Sequence, residues 1–399
     1  MNKKKAFWDS VLNIAATAVP LLVLQLIALP IMGDQMGTDQ YGLAVSIISL
    51  MTLFSHVFGN VLNNIRLITR DEYEDNRISG DFNVLLLISL PINTVIMVLG
   101  TWWLEGSFDF VNILFIILSG AGIILWEYLI VAFRLTLNYS KILLGNVALS
   151  IGYLAGLGLF LLTGYWQLVY LMGSVFSVAF VLCTTKLIRE PYHRTKLFFS
   201  TTQKSIILTV ASFFNTALNY VDKLILFPLL GGAVVSVYYS ATIFGKVIST
   251  GIQPISSVML SYFSRLKSFR KENFWLLFFI STAIGVIGYV ICIVCSGPVL
   301  DMLYPQWAEE SMKYIYITTA TAIVGMVSSV MNPVILKFCS LNWQVAINGI
   351  NFVVYIVVTL IFLSVWGLYG FCIGILIANL VKLFLIILVY IRNGSTVVA

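Results

Sequence analysis

Three lysines lie inside long apolar stretches of this sequence, at Lys223, Lys246 and Lys382. A lysine near the midplane of a bilayer costs about 2.5–3.5 kcal/mol, so such a side chain should face protein, water or a charged partner. Lys246 and Lys382 each lie roughly twelve residues into their stretch, where a lysine stem does not easily reach the membrane surface. We therefore expect both to line a hydrated cavity that attracts an anion. For Lys246, a structural ion pair with a residue such as Asp222 is the alternative.

Lys223 directly follows Asp222, so one apolar stretch holds two opposite charges side by side. Neighbouring positions on a helix point about 100° apart, which predicts that the two side chains do not form a simple salt bridge. We expect one of them to face the cavity while the other contacts a neighbouring helix. Asp222 is also a candidate for ion coupling, because a carboxylate can bind and release a proton. The alternative for Lys223 is that it extends outward to the membrane surface.

The first half of the chain has a different set of polar residues in its apolar stretches. Glu127 is a candidate for ion coupling, with an anchor at the membrane surface as the alternative. The remaining candidates could contact the hydroxyl groups of a sugar, while packing and helix capping explain them about as well. They are Gln25, His56, Asn60 and Asn63.

Other chemistry has little support in the residue pattern. The five cysteines fall in or at the ends of apolar segments and are expected to be small buried hydrophobic residues. Cys292 and Cys295 have the spacing of a redox or zinc motif, but no second pair and no nearby histidine accompanies them. The sequence contains no Walker A motif, no Gly-rich phosphate loop and no Ser-His-Asp order. We therefore predict no metal site, no cofactor, no enzymatic activity and no nucleic-acid partner.

The composition indicates an integral membrane protein built of helices. Of the 399 residues, 60% are hydrophobic and 10% are charged, whereas an ordinary soluble domain has about 25% charged residues. Windows of about 20 apolar residues, enough to cross a bilayer as a helix, recur along the whole chain. We expect the first to be a retained anchor, because it is long and another follows at once. The sequence predicts twelve spans, over 10–32, 41–63, 82–103, 110–133, 145–163, 168–188, 205–228, 234–263, 274–297, 312–337, 344–365 and 370–391.

The distribution of lysine and arginine predicts the orientation of these spans. Nineteen of the 23 lie on the side of the N-terminus, one (Lys313) lies on the other side, and three lie inside spans. The positive-inside rule then places both termini in the cytoplasm. The outward connections are too short for a catalytic domain. We expect the charged cytoplasmic connections 64–81 and 189–204 to be solvated loops or interfacial helices, with contact to a substrate headgroup or a partner as the alternative.

A weak internal repeat divides the spans into two groups of six. Sliding the chain by 198 residues aligns Pro30-Ile-Met-Gly33 with Pro228-Leu-Leu-Gly231, and Tyr41 with Tyr239. We predict an N-terminal lobe over 1–188, a cytoplasmic connection over 189–204 and a C-terminal lobe over 205–399. Two such halves with the same orientation are a recurrent plan of transporters, with the substrate path between them.

Two short motifs resemble those of a known family. The run Asn219-Tyr-Val-Asp-Lys-Leu-Ile-Leu-Phe-Pro-Leu-Leu-Gly231, followed by Val237-Tyr-Tyr-Ser-Ala241, is one; Leu29-Pro-Ile-Met-Gly33 followed by Gln40-Tyr-Gly42 is the other. They resemble polysaccharide flippases, the polysaccharide transporter branch of the multidrug/oligosaccharidyl-lipid/polysaccharide exporter superfamily.

This resemblance implies a fold, a function and partners. It implies an all-α polytopic membrane protein whose two six-helix lobes form a V-shaped, alternating-access transporter in the bacterial plasma membrane. The substrate would be an undecaprenyl-diphosphate-linked oligosaccharide carried to the outer leaflet, and the partners a polysaccharide polymerase and chain-length proteins. The cationic residues of the central cavity would bind the diphosphate, and Lys223 matches the basic position of the motif. Two features depart from that expectation, because all three candidates are lysine rather than arginine, and the spans of the first half hold no cation.

Three other functions remain alternatives from the residues alone. A drug or cation antiporter shares the architecture but should present carboxylates rather than lysines to its substrate. A sugar or metabolite symporter fits the number of spans, although the connection 64–81 lacks the usual Gly-Asp-Arg-Gly signature. A membrane enzyme of glycan assembly is disfavoured by the short outward connections.

Overall fold

The computed structural model describes most of the chain. The described residues are 16, 18–107, 109–136, 138–248, 256, 259, 263, 269–339 and 341–393. The basic N-terminal residues, the start of the first predicted span and most of the second half of the eighth lie outside them.

The elements of the described chain are helices, numbered here in chain order. In the first part they are α1 (Leu29–Gln35), α2 (Thr38–Ile68), α3 (Arg70–Asn76), α4 (Asp81–Glu105), α5 (Phe110–Leu129), α6 (Val131–Leu135), α7 (Tyr139–Thr163) and α8 (Gln167–Thr184). They continue with α9 (Phe198–Ala217), α10 (Val221–Leu230), α11 (Gly232–Ala241), α12 (Lys271–Leu303), α13 (Ala308–Phe338) and α14 (Leu341–Asn393). A π-helical turn, Leu24–Ala28, precedes α1, and a 3-10 turn, Leu187–Arg189, follows α8.

The helices confirm the predicted polytopic, all-α class. Among the described residues, nine helical segments are long and apolar enough to cross a membrane. The last of them, α14, divides into two spans at Trp366 and Gly367, whose backbones leave the helical region. The seventh predicted span corresponds to α9 and α10, and the described part of the eighth begins with α11; neither is among the nine.

The chain forms two compact units, unit 1 over Met1–Val235 and unit 2 over Ser236–Ala399. In unit 1, α2 is the central helix, buried along most of its length, and α4, α5, α9 and α10 pack around it. Gly156 brings α7 close to α8, since a Cβ there would overlap the carbonyl oxygen of Leu168. Small residues allow close approach of helices where lipid supplies no hydrophobic force between them. The lobe boundaries at 188 and 205 stay a prediction.

The connection 189–204 is hydrogen-bonded to the rest of unit 1 through a buried carboxylate. Asp81, which is fully buried, accepts hydrogen bonds from the Thr195 amide at 2.7 Å, from the Thr195 hydroxyl and from the Tyr73 hydroxyl at 2.6 Å. The Tyr73 oxygen also lies 2.9 Å from the hydroxyl of Thr201. Burial and the adjacent carboxylate raise the pKa of Tyr73. Part of this connection is therefore a packed element rather than a solvated loop.

Unit 2 has an aromatic core at one end and hydroxyl contacts at the other. Phe274 of α12 stacks on Tyr390 of α14 with ring centroids 3.8 Å apart. Ser240 of α11 lies 2.7 Å from the Ser311 hydroxyl, and Thr318 donates to the carbonyl of Ala241 at 2.7 Å. These contacts fix α11 against α13, and α11 leads directly into the helical residues 243–248 that contain Lys246.

The first and seventh predicted spans are both irregular, at positions close to one another in the repeat. Pro30 has no N–H and its ring clashes with the carbonyl four residues earlier. The π-helical turn Leu24–Ala28 relieves this conflict, and the Leu29 amide bonds the Leu24 carbonyl, five residues back. In the seventh span the helix instead stops at Ala217 and restarts at Val221. Gln25 lies within the first irregular stretch, and Asp222 and Lys223 follow directly after the second.

Candidate functional site

Asp222 and Lys223 form a buried salt bridge at the start of α10. The Lys223 Nζ lies 2.7 Å from each carboxylate oxygen of Asp222 and 3.3 Å from the carbonyl oxygen of Asn219. The side chain of Lys223 is 5% exposed and that of Asp222 is 9% exposed. The prediction that these neighbours would not form a simple salt bridge is wrong. They occupy the first turn of a helix that begins after a break, where the long lysine stem can fold back, and neutralising both charges lowers the cost of burying them.

His56 of α2 pairs with Glu127 of α5. The His56 Nδ1 lies 3.0 Å from a Glu127 carboxylate oxygen, and the two side chains are 37% and 25% exposed. Gly59 makes this approach possible, because the Glu127 Cβ packs where a side chain at position 59 would stand. The roles predicted for them, sugar contact for His56 and ion coupling for Glu127, stay predictions. Sequence reasoning did not find their pairing.

Tyr220 interacts electrostatically with the carboxylate of each pair. It lies in the break between α9 and α10, close to the Thr52 hydroxyl and within electrostatic range of the carboxylates of Glu127 and Asp222. Tyr153 of α7 is likewise within electrostatic range of Glu127. Unit 1 therefore has a polar cluster inside the membrane span, formed by His56, Glu127, Tyr153, Tyr220, Asp222 and Lys223. A carboxylate beside an imidazole can exchange a proton or hold a small cation.

The predicted asparagine contacts differ in accessibility. Asn63 is buried; its side chain donates to the Glu127 carbonyl at 2.7 Å and accepts from Arg134 at 2.6 Å. Asn60 is exposed and accepts from Asn64 at 3.3 Å. Arg134, which supports this corner, was not a candidate from the sequence. Its position in the last turn of α6 is typical of a helix-terminal cation and gave no functional signal.

Gln25 lies within the π-helical turn and is half-buried. Such turns widen the backbone by one residue and are frequent at functional sites. The predicted role of Gln25 as a sugar contact stays a prediction.

Lys246 is half-buried in the continuation of the eighth span, where its ammonium lies over an aromatic ring. The Lys246 Nζ is 2.8 Å from the ring centroid of Tyr239, which is itself 5% exposed. The electron-rich face of the ring partly compensates the desolvation of the cation. The helix is interrupted at Thr242, between these two residues. The ring itself carries no formal negative charge.

Lys382 is half-buried in the second span of α14. It forms no ion pair with any residue that the structure describes. The carboxylates of unit 2 are remote along the chain from both lysines. Its acidic residues are Glu272, Asp301, Glu309 and Glu310, in the terminal turns of α12 and α13. The spans of unit 2 thus carry two lysines and no carboxylate between their ends.

Within the described part of the chain, no three His, Cys, Asp or Glu side chains are placed to share a metal ion. The five cysteines are free thiols.

Neither a protein-family model nor a curated protein matches this sequence. Solved structures do match it over nearly its full length. An inward-facing multidrug resistance MATE family transporter of the MOP superfamily is 16% identical, with TM-score 0.69 over 96% of this chain and 98% of its own. The lipid II flippase MurJ, in an inward closed conformation, is 14% identical, with TM-score 0.70 over 98% and 88%. The Vibrio cholerae MATE transporter VcmN, in a bent form, is 14% identical, with TM-score 0.64 over 99% and 97%.

The chain shares the all-helical, polytopic fold of these solved structures, which confirms the predicted fold class. The three similar proteins are named as transporters or a flippase, and none as an enzyme. At these identities the likeness is one of fold, and the choice between a lipid-linked substrate and a small molecule depends on the residues described above.

Proposed function

We propose that this protein is a flippase that carries an anionic lipid-linked oligosaccharide across the bacterial plasma membrane. The substrate would be an undecaprenyl-diphosphate-linked oligosaccharide, moved by alternating access from the cytoplasmic to the outer leaflet for surface polysaccharide assembly. The observation that carries this proposal is the pair of lysines, Lys246 and Lys382, in a unit whose spans contain no carboxylate between their ends.

The charge balance of unit 2 favours an anionic substrate. A lysine inside a span costs about 2.5–3.5 kcal/mol on the insertion scale, so the fold keeps these side chains at a cost in stability. A diphosphate would bring negative charge to both lysines while it passes. An ammonium is a point charge with rotatable donors and can follow a moving phosphate more easily than a rigid guanidinium can. A cationic drug would be repelled by the same groups.

Several parts of the proposal depend on the resemblance and on the orientation of the chain. Both termini would be cytoplasmic, as the lysine and arginine distribution predicts. A polysaccharide polymerase and chain-length proteins would act on the product at the outer leaflet. Lys223 would contribute less to the cavity than Lys246 and Lys382, because Asp222 already neutralises it.

Reconstituted flipping of a lipid-linked oligosaccharide tests the proposal. Purified protein in liposomes would be given a fluorescent undecaprenyl-diphosphate oligosaccharide, and the fraction accessible to an added periodate or lectin reagent would be followed with time. Wild type should flip the lipid, Lys246→Ala and Lys382→Ala should each slow it by about 10- to 100-fold, and the Arg variants should keep part of the rate.

Lys313→Ala is the matched control. Lys313 is an exposed lysine of the same unit, predicted at the outer surface of the membrane rather than inside a span. Unchanged flipping in both cavity variants, or an equal loss in the Lys313 control, would contradict a cationic path.

A proton- or cation-coupled exporter of small molecules is the second candidate. The His56–Glu127 pair favours it, because a carboxylate and an imidazole 3.0 Å apart can exchange a proton inside the membrane. Export of a cationic dye from liposomes under a pH gradient would be the test. Dye export that is lost in Glu127→Gln, with no flipping of the lipid by wild type, would select this function over the first.

A further inference from the structure

A pocket of about 330 Å³ lies where α2 ends and α3 begins, away from the polar cluster of unit 1. We call it the elbow pocket. It is lined chiefly by Arg66, Arg70, Tyr73, Arg77, Phe82 and Glu190. His56 is ten residues earlier on α2, which places the elbow pocket roughly 15 Å along that helix from the His56–Glu127 pair.

The charge of Arg66 in the elbow pocket is compensated by Glu190. Arg66 forms a two-pronged ion pair with Glu190, in which Nη1 lies 2.9 Å from one carboxylate oxygen and Nη2 contacts the other. The same Nη1 donates to the Tyr128 hydroxyl at 3.1 Å, and the guanidinium lies 4.9 Å from the ring centroid of Phe82. These contacts use the planar face and two edges of the guanidinium. Arg66 therefore shapes the pocket and leaves little charge for a ligand.

Two further arginines, Arg70 and Arg77, line the elbow pocket without a buried ion pair of this kind. The Arg70 Nε lies 2.6 Å from a Glu74 carboxylate oxygen, but both side chains are exposed. An exposed pair one helical turn apart contributes only about 0.3–0.5 kcal/mol, so Arg70 can turn to a competing anion. Arg77 forms no ion pair or hydrogen-bonded contact through its side chain with any described residue.

The backbone of Arg77 has a conformation in which glycine is the usual residue. Arg77 ends α3 in the left-handed conformation, with φ 52° and ψ 42°, and no other residue besides glycine has a positive φ in the described chain. The Arg77 amide bonds the Glu74 carbonyl at 3.1 Å, and the Ile78 amide bonds the Tyr73 carbonyl at 3.2 Å. This is the Schellman arrangement, in which glycine is the usual residue because it has no Cβ. Arginine stands at this position against the local backbone preference.

The elbow pocket also lies at the edge of the membrane. Ile68, in the last turn of α2, is 62% exposed and belongs to the surface of a span. The positive-inside rule puts this end of α2 at the cytoplasmic surface. A headgroup held beside Arg70 and Arg77 would leave its acyl chains next to Ile68.

We propose that the elbow pocket binds a phosphate group, held by Arg77 and Arg70, at a site separate from the transport path. Arginine is suited to phosphate because its donors match two oxygens at once. The phosphate would come from the headgroup of an anionic phospholipid or from a soluble phosphate or diphosphate. Glu74 lies in the same pocket and competes for Arg70, so it sets the affinity.

Native mass spectrometry and thermal unfolding of the purified full-length protein test this site. The probes are phosphatidylglycerol against phosphatidylcholine, and inorganic phosphate and pyrophosphate against chloride at equal ionic strength. Arg77→Gly removes the side chain and relieves the left-handed backbone, so the ligand-free protein should unfold at the same or a higher temperature. Phosphate-group binding should fall about tenfold, as for loss of one charged hydrogen bond. Glu74→Gln should bind severalfold more tightly.

Lys186→Ala is the matched control, since Lys186 is an exposed cation four residues before Glu190 that does not line the elbow pocket. Loss confined to phosphatidylglycerol in Arg77→Gly identifies a lipid headgroup, and loss confined to the soluble anions identifies a free phosphate. Equal binding by Arg77→Gly and wild type would overturn the proposal, and so would an equal loss in Lys186→Ala.

Discussion

The two units treat charge inside the membrane in opposite ways. Unit 1 places a carboxylate beside each of its ionisable bases there, Asp222 beside Lys223 and Glu127 beside His56. Unit 2 gives Lys246 an aromatic ring and gives Lys382 no carboxylate in the described chain. Removing one partner of a buried pair leaves an uncompensated charge, whereas removing a lone cation relieves a cost that the fold already bears.

This difference separates two kinds of function. In a buried ion pair, each charge is held in place by its partner. Binding a proton or a small cation changes the net charge of such a pair. A cation in a span with no carboxylate between its ends can respond to an anion that arrives from outside. We therefore propose ion coupling for unit 1 and anion attraction for unit 2, and the following variants test that proposal.

The largest effect is expected from Lys223→Met. This variant leaves Asp222 buried without its counter-charge and should lower the free energy of unfolding by about 3–5 kcal/mol. Thermal and denaturant unfolding in detergent would measure it. The double variant Asp222→Asn, Lys223→Met should recover most of the loss, because neither charge then remains. A double variant as unstable as the single one would show that the pair is not the source of the loss.

Lys382→Met makes the same chemical change in unit 2 and should have the opposite sign. No carboxylate of the described chain loses a partner, and the cost of holding a cation in the span disappears. We expect the free energy of unfolding to rise by about 1–2 kcal/mol, a part of the insertion cost. The same unfolding assay measures it, and a drop like that of Lys223→Met would remove the contrast between the units.

Glu127→Gln tests whether the His56 pair is part of a coupling site. Both side chains are partly exposed, so the loss of stability should be about 1 kcal/mol or less. Transport should lose its dependence on an imposed pH gradient, because Gln cannot exchange a proton with His56. Measurements of transport at several gradients would show this, with Glu105→Gln, the same chemical change in the last turn of α4, as the control. A variant that keeps the full dependence would exclude Glu127 as the coupling group.

The smallest effect is expected at Tyr239. Tyr239→Leu removes the ring beneath the Lys246 ammonium and should lower stability by about 0.5–1 kcal/mol beyond the loss of packing. Tyr239→Phe keeps a ring face and is the matched control, with stability close to that of wild type. Unfolding in detergent compares the two. Equal stability of the Leu and Phe variants would mean that the ring contributes no electrostatic stabilisation.

The spans were predictable from the sequence because their signals are local and redundant. Apolar windows give their number, and α14 could be divided in the prediction because Trp366-Gly367 interrupts the run. The pair His56–Glu127 was not predictable, since it joins residues 71 positions apart through the packing of α2 on α5. The break at 218–220 contains neither proline nor glycine, so no local signal marked it. Because the sequence shows no sign of the break, it predicted Asp222 and Lys223 as residues inside a regular helix.

The π-helical turn Leu24–Ala28 also bears on the rotational phase of the first span. A π-turn contains one residue more than the α-turn it replaces, so it offsets the angular register of everything before it by about 100° relative to everything after it. Deleting one residue there would restore regular winding and swing the preceding side chains to another face, while Pro30 and α1 stayed in place. The length of this turn therefore determines which way the side chains before it point, and Gln25 lies within the turn.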